Sequence, residues 1–508
     1  MSALPAAIKH IVVLMLENRS FDHLLGSLSG VAGPSGRSNV DPLDGSIVPI
    51  SFDASSFTPA LPHPDHPDRF EGDPLHDVVS VNRQLFETAT PDAGTPVTCG
   101  GFIQAAREGG DAGADRAARE VMRCFDAQSS LPTAAALAAA FVVCDSWFSS
   151  VPGPTWPNRL FAHAGTSFGS ADNKLRLYPG PTLYDCLDDA RVDWAIYYHD
   201  IPQSACFRGL RSRRDSHQRK CMRHVSEFFK DVRAAGTLPS YVFIEPNYFE
   251  SGRGLWGYTK EFLQWLLHLL GFPVYPSMEH ANDQHPPHDI RLGEHLIADV
   301  YDALRANDEL WRSCVYIVLH DEHGGLFDHG EPPAVNPPDG NVSANPPFDF
   351  QRLGLRVPAF IVSPWVRHMV DHTQYEHTSI VRTVREHFCP ETAPITNRDA
   401  TANPLNGEMF LSAPKSTPTI GRPVPTFLIG ARGDPEKRPM NDLQASLVNL
   451  ANAMAPGGPA DLDERAVAVA PRPVDAVIDL SDTPAPQLTE ASGRRIVTAV
   501  MARERERR

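Results

Sequence analysis

Six apolar residues, Ile11 to Leu16, run unbroken into Glu17, and a second run, Val315 to Leu319, stops just short of Asp321. Short apolar runs closed by polar residues read as strands buried on both faces. Similar runs stand at Ala140 to Cys144, at 194–198 (WAIYY), at 241–245 (YVFIE) and at 359–363 (AFIVS). Between them the apolar positions recur at helical spacing, near 225–235, 259–270, 291–306 and 376–388, with helical content also at 115–125 and 133–143. Strands alternating with helices predict an α/β fold, a mostly parallel central sheet with helices on both faces. Residues 27–72, rich in Pro, Gly, Ser and Asp, predict a long surface excursion. From about 390 the chain is Pro- and Ala-rich and less periodic, until a helical segment near 486–506.

This pattern places chemistry at strand ends. Glu17-Asn18-Arg19-Ser20-Phe21-Asp22-His23 follows the first run and Asp321-Glu322-His323-Gly324-Gly325 the second. Open α/β sheets bind ligands at the carboxyl ends of their strands. Glu17, Asn18, Asp321 and Glu322 are oxygen ligands, three of them anionic, and suit one divalent cation. Softness favours Mg²⁺, Ca²⁺ or Mn²⁺, although Zn²⁺ also accepts Asp and Glu. A cation in a strand-end cleft serves attack on phosphoryl or sulfuryl groups. Between these motifs, in VPGPTWPNRL, Pro and Gly crowd Thr155 from both sides just before a predicted helix start. A helix start offers N–H groups to an anion, and a cation can activate the hydroxyl. His76 (DPLHD) and His285 (NDQHPPHD) stand in Pro-fixed loops, without helical zinc spacing. Each serves either as a proton donor to a leaving oxygen or as a loop brace. His329 and His377 are expected to brace the same region.

Composition narrows the classes. The 508 residues carry a formal charge of −16, which argues against a general nucleic-acid binder. Eight cysteines without CxxC spacing argue against a thiolate zinc site, while Cys206 and Cys221 could bridge in an oxidising compartment. The start lacks a basic leader, and no apolar stretch reaches 18 residues, so the expected location is cytoplasmic or peripheral to a membrane. A basic stretch from Arg208 to Arg223 reads as a solvated loop or as a patch for anionic lipid headgroups.

The motifs IVVLMLENRSFDHLLG, VPGPTWPNRLF, FIEPNY, NDQHPPHD and HDEHGGLFDH resemble, in this order, the bacterial phosphoesterase family of phospholipases C and acid phosphatases. DPLH, LRVPAFIVSPW and EHTSIVRTV fit as well, and the resemblance spans about residues 8–390. It implies an alkaline-phosphatase-like fold and one divalent metal held by Glu17, Asn18, Asp321 and Glu322. Thr155 completes that site as the nucleophile, with His76 and His285 around the phosphate. Asn158, Arg159, His288, His329 and His377 would support this cluster.

The expected organisation is a catalytic domain over 1–390, with insertions near 27–72 and 249–281, and an extension over 391–508 packed against it. The expected activity is phospholipase C-type hydrolysis of phospholipids through a phospho-threonine. An acid phosphatase is the near alternative, and a non-catalytic lipid or headgroup binder is the alternative of another class. A sulfatase is disfavoured because Thr155 cannot become the formylglycine those enzymes use. The expected partners are a phospholipid or small phosphoester and, peripherally, a membrane. Relatives are often exported, Thr155 matches the phospholipase branch where the phosphatase branch has Ser, and Trp156 departs from the usual small or polar residue. The 249–281 region is longer than the family pattern. Its Phe262 to Leu270 stretch reads as a buried or oligomer-contact helix, or as a lipid-facing element.

Overall fold

The runs that read as strands are the middle of one sheet. In the computed structural model its strands are β1 (His10–Leu16), β2 (Val142–Cys144), β3 (Trp194–Tyr198), β4 (Met222–His224), β5 (Tyr241–Ile244), β6 (Cys314–His320), β7 (Ala359–Val362) and β8 (Met369–Asp371). The structure describes the chain except residues 1–3, 54–72, 110–117, 213–220, 235–237, 251–259, 261, 265, 268–279, 424–436, 456–476, 480–487 and 508. The strand order is β8-β2-β7-β6-β1-β5-β3-β4. Only β7 runs against its neighbours; the other adjacent pairs are parallel. This is the expected mostly parallel sheet, and its central strands are apolar throughout because helices cover both faces.

Register fixes where the sheet ends. Ile11 pairs with Val315 and Leu16 with His320, so β1 and β6 stop at one level. Glu17 and Asp321 therefore leave the sheet side by side. On the other flank of β1, Leu14 pairs with Ile244, which brings Glu245 to the same edge.

The helices that matter to the site are α1 (Phe21–Leu25), α2 (Val78–Phe86), α3 (Thr155–Ala164), α4 (Ile290–Arg305), α5 (Thr378–Phe388), α6 (Asp442–Met454) and α7 (Glu490–Arg507). In α4, Ile297, Val300, Tyr301 and Leu304 recur at helical spacing and are all buried, while Asp289 caps the first turn by accepting from Arg291 N.

Several expectations change. Residues 123–125, inside a stretch that reads as helical, pair with 51–53 as a short strand instead, because Phe125 and Cys124 are buried beneath the excursion. The 27–72 excursion also forms a hairpin, Ser38–Val40 with Ile47–Pro49. The extension carries a full helix, α6, which its weak periodicity hid; Asn441 and Gln444 close a capping box at its start. Phe262, Leu263 and Leu266 are exposed, at 48%, 55% and 39%, which contradicts a buried helix there. Trp256 and Trp265 of the 249–281 insertion lie outside the described residues, as do Arg213, Arg214, Arg219 and Lys220 of the basic stretch. At its edges Arg208 is buried and Arg223 is paired with Asp231. No disulfide occurs among the described residues, and Cys206 and Cys221 are buried thiols. Among those residues no helix is long and apolar enough to cross a membrane.

Candidate active site

The local backbone brings the strand-end carboxylates together. Asn18 adopts φ +50, a left-handed conformation that Asn tolerates better than most residues. Asp321 Oδ1 accepts from the backbone N–H groups of Asn18 (3.1 Å) and Glu322 (2.7 Å). Gly324 has φ +65, and a Cβ there would lie 2.4 Å from the Asn18 carbonyl oxygen. The glycine thus lets the two motifs touch.

Thr155 is the first residue of α3, and its hydroxyl donates to Glu17 Oε2 at 3.2 Å. Asn158 holds the turn that presents it. Its Nδ2 donates to the carbonyls of Val151, Gly153 and Pro154, and its Oδ1 accepts from Val151 N. One turn into α3, Arg159 donates to Glu17 Oε1 at 2.8 Å and to the Met15 carbonyl at 3.1 Å, with Asp321 Oδ2 at 3.4 Å. All these side chains are buried.

The histidines divide by environment. Asn18 Nδ2 lies 3.0 Å from His285 Nε2 and 3.4 Å from His76 Nε2. Burial pushes His285 down to about 4. Burial also opposes charge on His76, but Glu322, at 3.5 Å, and Asp73 outweigh it and push the group up to about 9. One ring is therefore neutral and the other cationic at pH 7. His288 sits between Asp283 (2.7 Å) and Glu490 (3.3 Å), which overcome burial and raise it to about 10. His377 Nε2 donates to the Asp321 carbonyl oxygen and braces that motif. His329 is further away, paired with Asp22 beside Arg356. The cluster thus brings together Glu17, Asn18, Thr155, Asp321, Glu322, His76 and His285. Asn158, Arg159, His288 and His377 hold it, and His329 belongs to a separate ionic network.

The donor set fits a cation. Asn18 Oδ1, Asp321 Oδ2 and Glu322 Oε1 are buried oxygens with no hydrogen-bond partner among the described residues. Burial raises the pKa of Glu17 and brings Asp321 up to about 6, although Arg159, paired with both, opposes the rise, so one guanidinium only partly offsets the two buried carboxylates. Among the described residues no three His, Cys, Asp or Glu side chains form a ready-made metal cluster. The carboxylates Glu17, Asp321 and Glu322 do not form one as they stand, with Arg159 paired to both Glu17 and Asp321.

Sequence reasoning missed several groups. The Asp283 carbonyl accepts from Glu17 N at 2.9 Å, and its carboxylate holds His288. Asp283, Glu245 and Tyr248 all lie inside visible motifs: Glu245 and Tyr248 follow the end of β5, and Asp283 stands in the NDQHPPHD loop, so those positions were the available signal. Asn441 and Glu490 had none. They come from the extension, Asn441 Nδ2 lying 3.3 Å from His285 Nδ1.

Residues 8–389 match the family described as Phosphoesterase family. The chain is 35% identical over 414 residues to "Non-specific phospholipase C6" of Arabidopsis thaliana, covering 78% of this chain and 71% of that protein. It is 26% identical over 477 residues to "Phospholipase C B" of Mycobacterium tuberculosis, covering 82% and 80%. A solved structure, "The Crystal Structure of a Protein in the Alkaline Phosphatase Superfamily from Vibrio parahaemolyticus to 1.95A", aligns with a TM-score of 0.26 and 14% identity over 51% of this chain and 60% of that one, too distant to bear on function. The chain therefore belongs to the phosphoesterase family and is a hydrolase acting on phosphoric esters.

Proposed function

We propose that the protein is a metal-dependent phospholipase C that works through a threonine-bound intermediate. The observation that carries this reading is the Thr155 hydroxyl, at the start of α3 and 3.2 Å from Glu17, beside buried oxygens of Asn18, Asp321 and Glu322 that accept no hydrogen bond among the described residues. Relatives named as phospholipases C, from plants and bacteria, support the substrate class.

A divalent cation held by Glu17, Asn18, Asp321, Glu322 and the Thr155 oxygen would supply positive charge where negative charge grows in the transition state. The chain's own groups account for the proton movements. Thr155 Oγ attacks phosphorus and passes its proton to Glu17 Oε2. The bond from phosphorus to the glycerol oxygen breaks, and cationic His76 gives that oxygen its proton. Diacylglycerol leaves, and the phosphoryl headgroup stays on Thr155. Water then attacks phosphorus, losing a proton to the now neutral His76, while Thr155 Oγ leaves and regains its proton from Glu17. His285, neutral, donates from Nδ1 to the Pro286 carbonyl oxygen and accepts on Nε2 from Asn18 Nδ2, which fixes the ring beside the phosphoryl position.

The test is hydrolysis of phosphatidylcholine and phosphatidylglycerol in mixed micelles, against p-nitrophenyl phosphate, with and without chelator. Release of diacylglycerol that stops on chelation and returns with a divalent cation is expected. Turnover of the monoester alone would replace the reading with a phosphomonoesterase.

A further inference from the structure

On the side of β1 away from Asp321, the ends of β3 and β5 carry a second buried polar cluster. Seven side-chain atoms there have no hydrogen-bond partner among the described residues: Gln203 Nε2 and Oε1, Ser204 Oγ, Glu245 Oε1, Asn247 Nδ2, Tyr248 OH and Arg159 Nη1. All six residues are 2% exposed or less. Buried polar atoms are nearly always satisfied in folded proteins, so such a concentration marks a place prepared for polar partners.

The six residues are held as one unit. Glu245 Oε2 accepts from Gln203 N at 2.8 Å. Asp200, just beyond β3, accepts from Tyr248 N at 2.7 Å and ties the two strand ends together. The Arg159 guanidinium carbon lies 5.7 Å from the centre of the Tyr248 ring. Arg159 also touches Glu17 and stands one helical turn from Thr155, so the cluster adjoins the phosphoryl position.

The geometry points to a headgroup subsite selective for hydroxyl-bearing headgroups, a deepening that rests on the phospholipase reading. Arg159, Asn247 and Gln203 offer donors, Glu245 and Gln203 offer acceptors, and the two hydroxyls offer either. A polyol such as a glycerol or inositol headgroup both donates and accepts, and so satisfies this mixed set. A trimethylammonium group has neither donor nor acceptor and leaves the atoms unpartnered. Sites built to hydrogen-bond a substrate hydroxyl discriminate strongly against analogues that lack it. The headgroup stays on phosphorus through the first step, so the same contacts act in both.

The experiment compares kcat/KM for phosphatidylglycerol and phosphatidylinositol with that for phosphatidylcholine, in one detergent, for wild type, Gln203→Met and Ser204→Ala. Gln203→Met keeps the side-chain length and removes two unpartnered atoms, so its Tm is expected at or above that of wild type. Wild type should favour the hydroxylated headgroups at least about tenfold, and the preference should shrink toward unity in Gln203→Met. Ser204→Ala should weaken it too, and serves alone if Gln203→Met does not fold. Wild-type ratios within about twofold of unity would overturn the subsite and leave the phospholipase reading intact. So would a preference that survives both substitutions, since the cluster would then be structural. If no phospholipid is hydrolysed with any divalent cation, the phospholipase reading itself falls, and the subsite with it.

Discussion

Thr155 shows how much one side chain can carry. Its methyl and backbone belong to the first turn of α3, and only its oxygen faces Glu17. Thr155→Val keeps the shape and removes that oxygen. Turnover of phospholipid is expected to fall about 10³-fold or more, with unfolding temperature near wild type. Activity within tenfold of wild type would remove Thr155 from the mechanism. Asn158 makes a contrasting prediction, since it bonds four backbone groups of the preceding turn rather than the reacting atoms. Asn158→Ala should lower both stability, by about 2–3 kcal/mol for several lost buried bonds, and turnover. Calorimetry and kinetics on the same sample check this, and a loss of turnover with unchanged stability would contradict the bracing role.

At the scale of elements, the extension reaches the site through two helices. The Glu490 carboxylate, at the start of α7, meets His288 Nε2, Arg438 Nη1 and Gln444 Nε2, and Gln444 belongs to α6. Burial opposes charge on Glu490, but His288 and Arg438 outweigh it and hold the group down to about 2. A depressed carboxylate contributes stability that is present above its unfolded value, about 4.5, and is lost as pH falls toward 2. The His288 pKa is raised from 6.5 to about 10, so its contribution is full below 6.5 and lost as pH rises toward 10. Glu490→Gln should therefore cost most between about pH 4.5 and 6.5, on the order of 3 kcal/mol for breaking a buried pair. The Tm difference from wild type should shrink on both sides of that window. A difference that stays flat from pH 3 to 10 would show that the pair does not act through charge.

At the scale of the whole molecule, burial opposes charge on Glu17 and Asp321, so a cation bound between them is expected to stabilise the fold. A ligand that binds only the folded state raises stability by about 2.7 kcal/mol at a hundred times its Kd. Mg²⁺, Ca²⁺, Mn²⁺ or Zn²⁺, whichever the site takes, should raise the Tm of the chelated wild-type protein. Asp321→Asn and Glu17→Gln should abolish most of that rise and lower bound metal measured by elemental analysis. An equal Tm rise in both variants would place the cation elsewhere.

The sequence by itself determined the sheet and named the candidate groups that the fold gathers at its edge. Short unbroken apolar runs closing on Glu17 and just before Asp321 read as strands buried on both faces, and central parallel strands deliver their next residues to one edge. The Pro-Gly turn before Thr155 was legible because those residue types have few other uses, whereas the close approach that requires a glycine at 324 shows only in the fold. Strand character at 123–125 and the helix at 442–454 were not legible, because burial beneath neighbouring segments outweighed a weak local pattern. Tertiary structure alone decided the state of the histidines. His76 and His285 look alike in sequence, yet Glu322 and Asp73 keep one charged while burial keeps the other neutral. It alone brought Asn441 and Glu490 across more than 150 residues to the His285 loop, and Gln203 beside Glu245. Periodicity reports which face of an element is buried; charge pairing and hydrogen bonding between distant segments depend on where the folded chain returns.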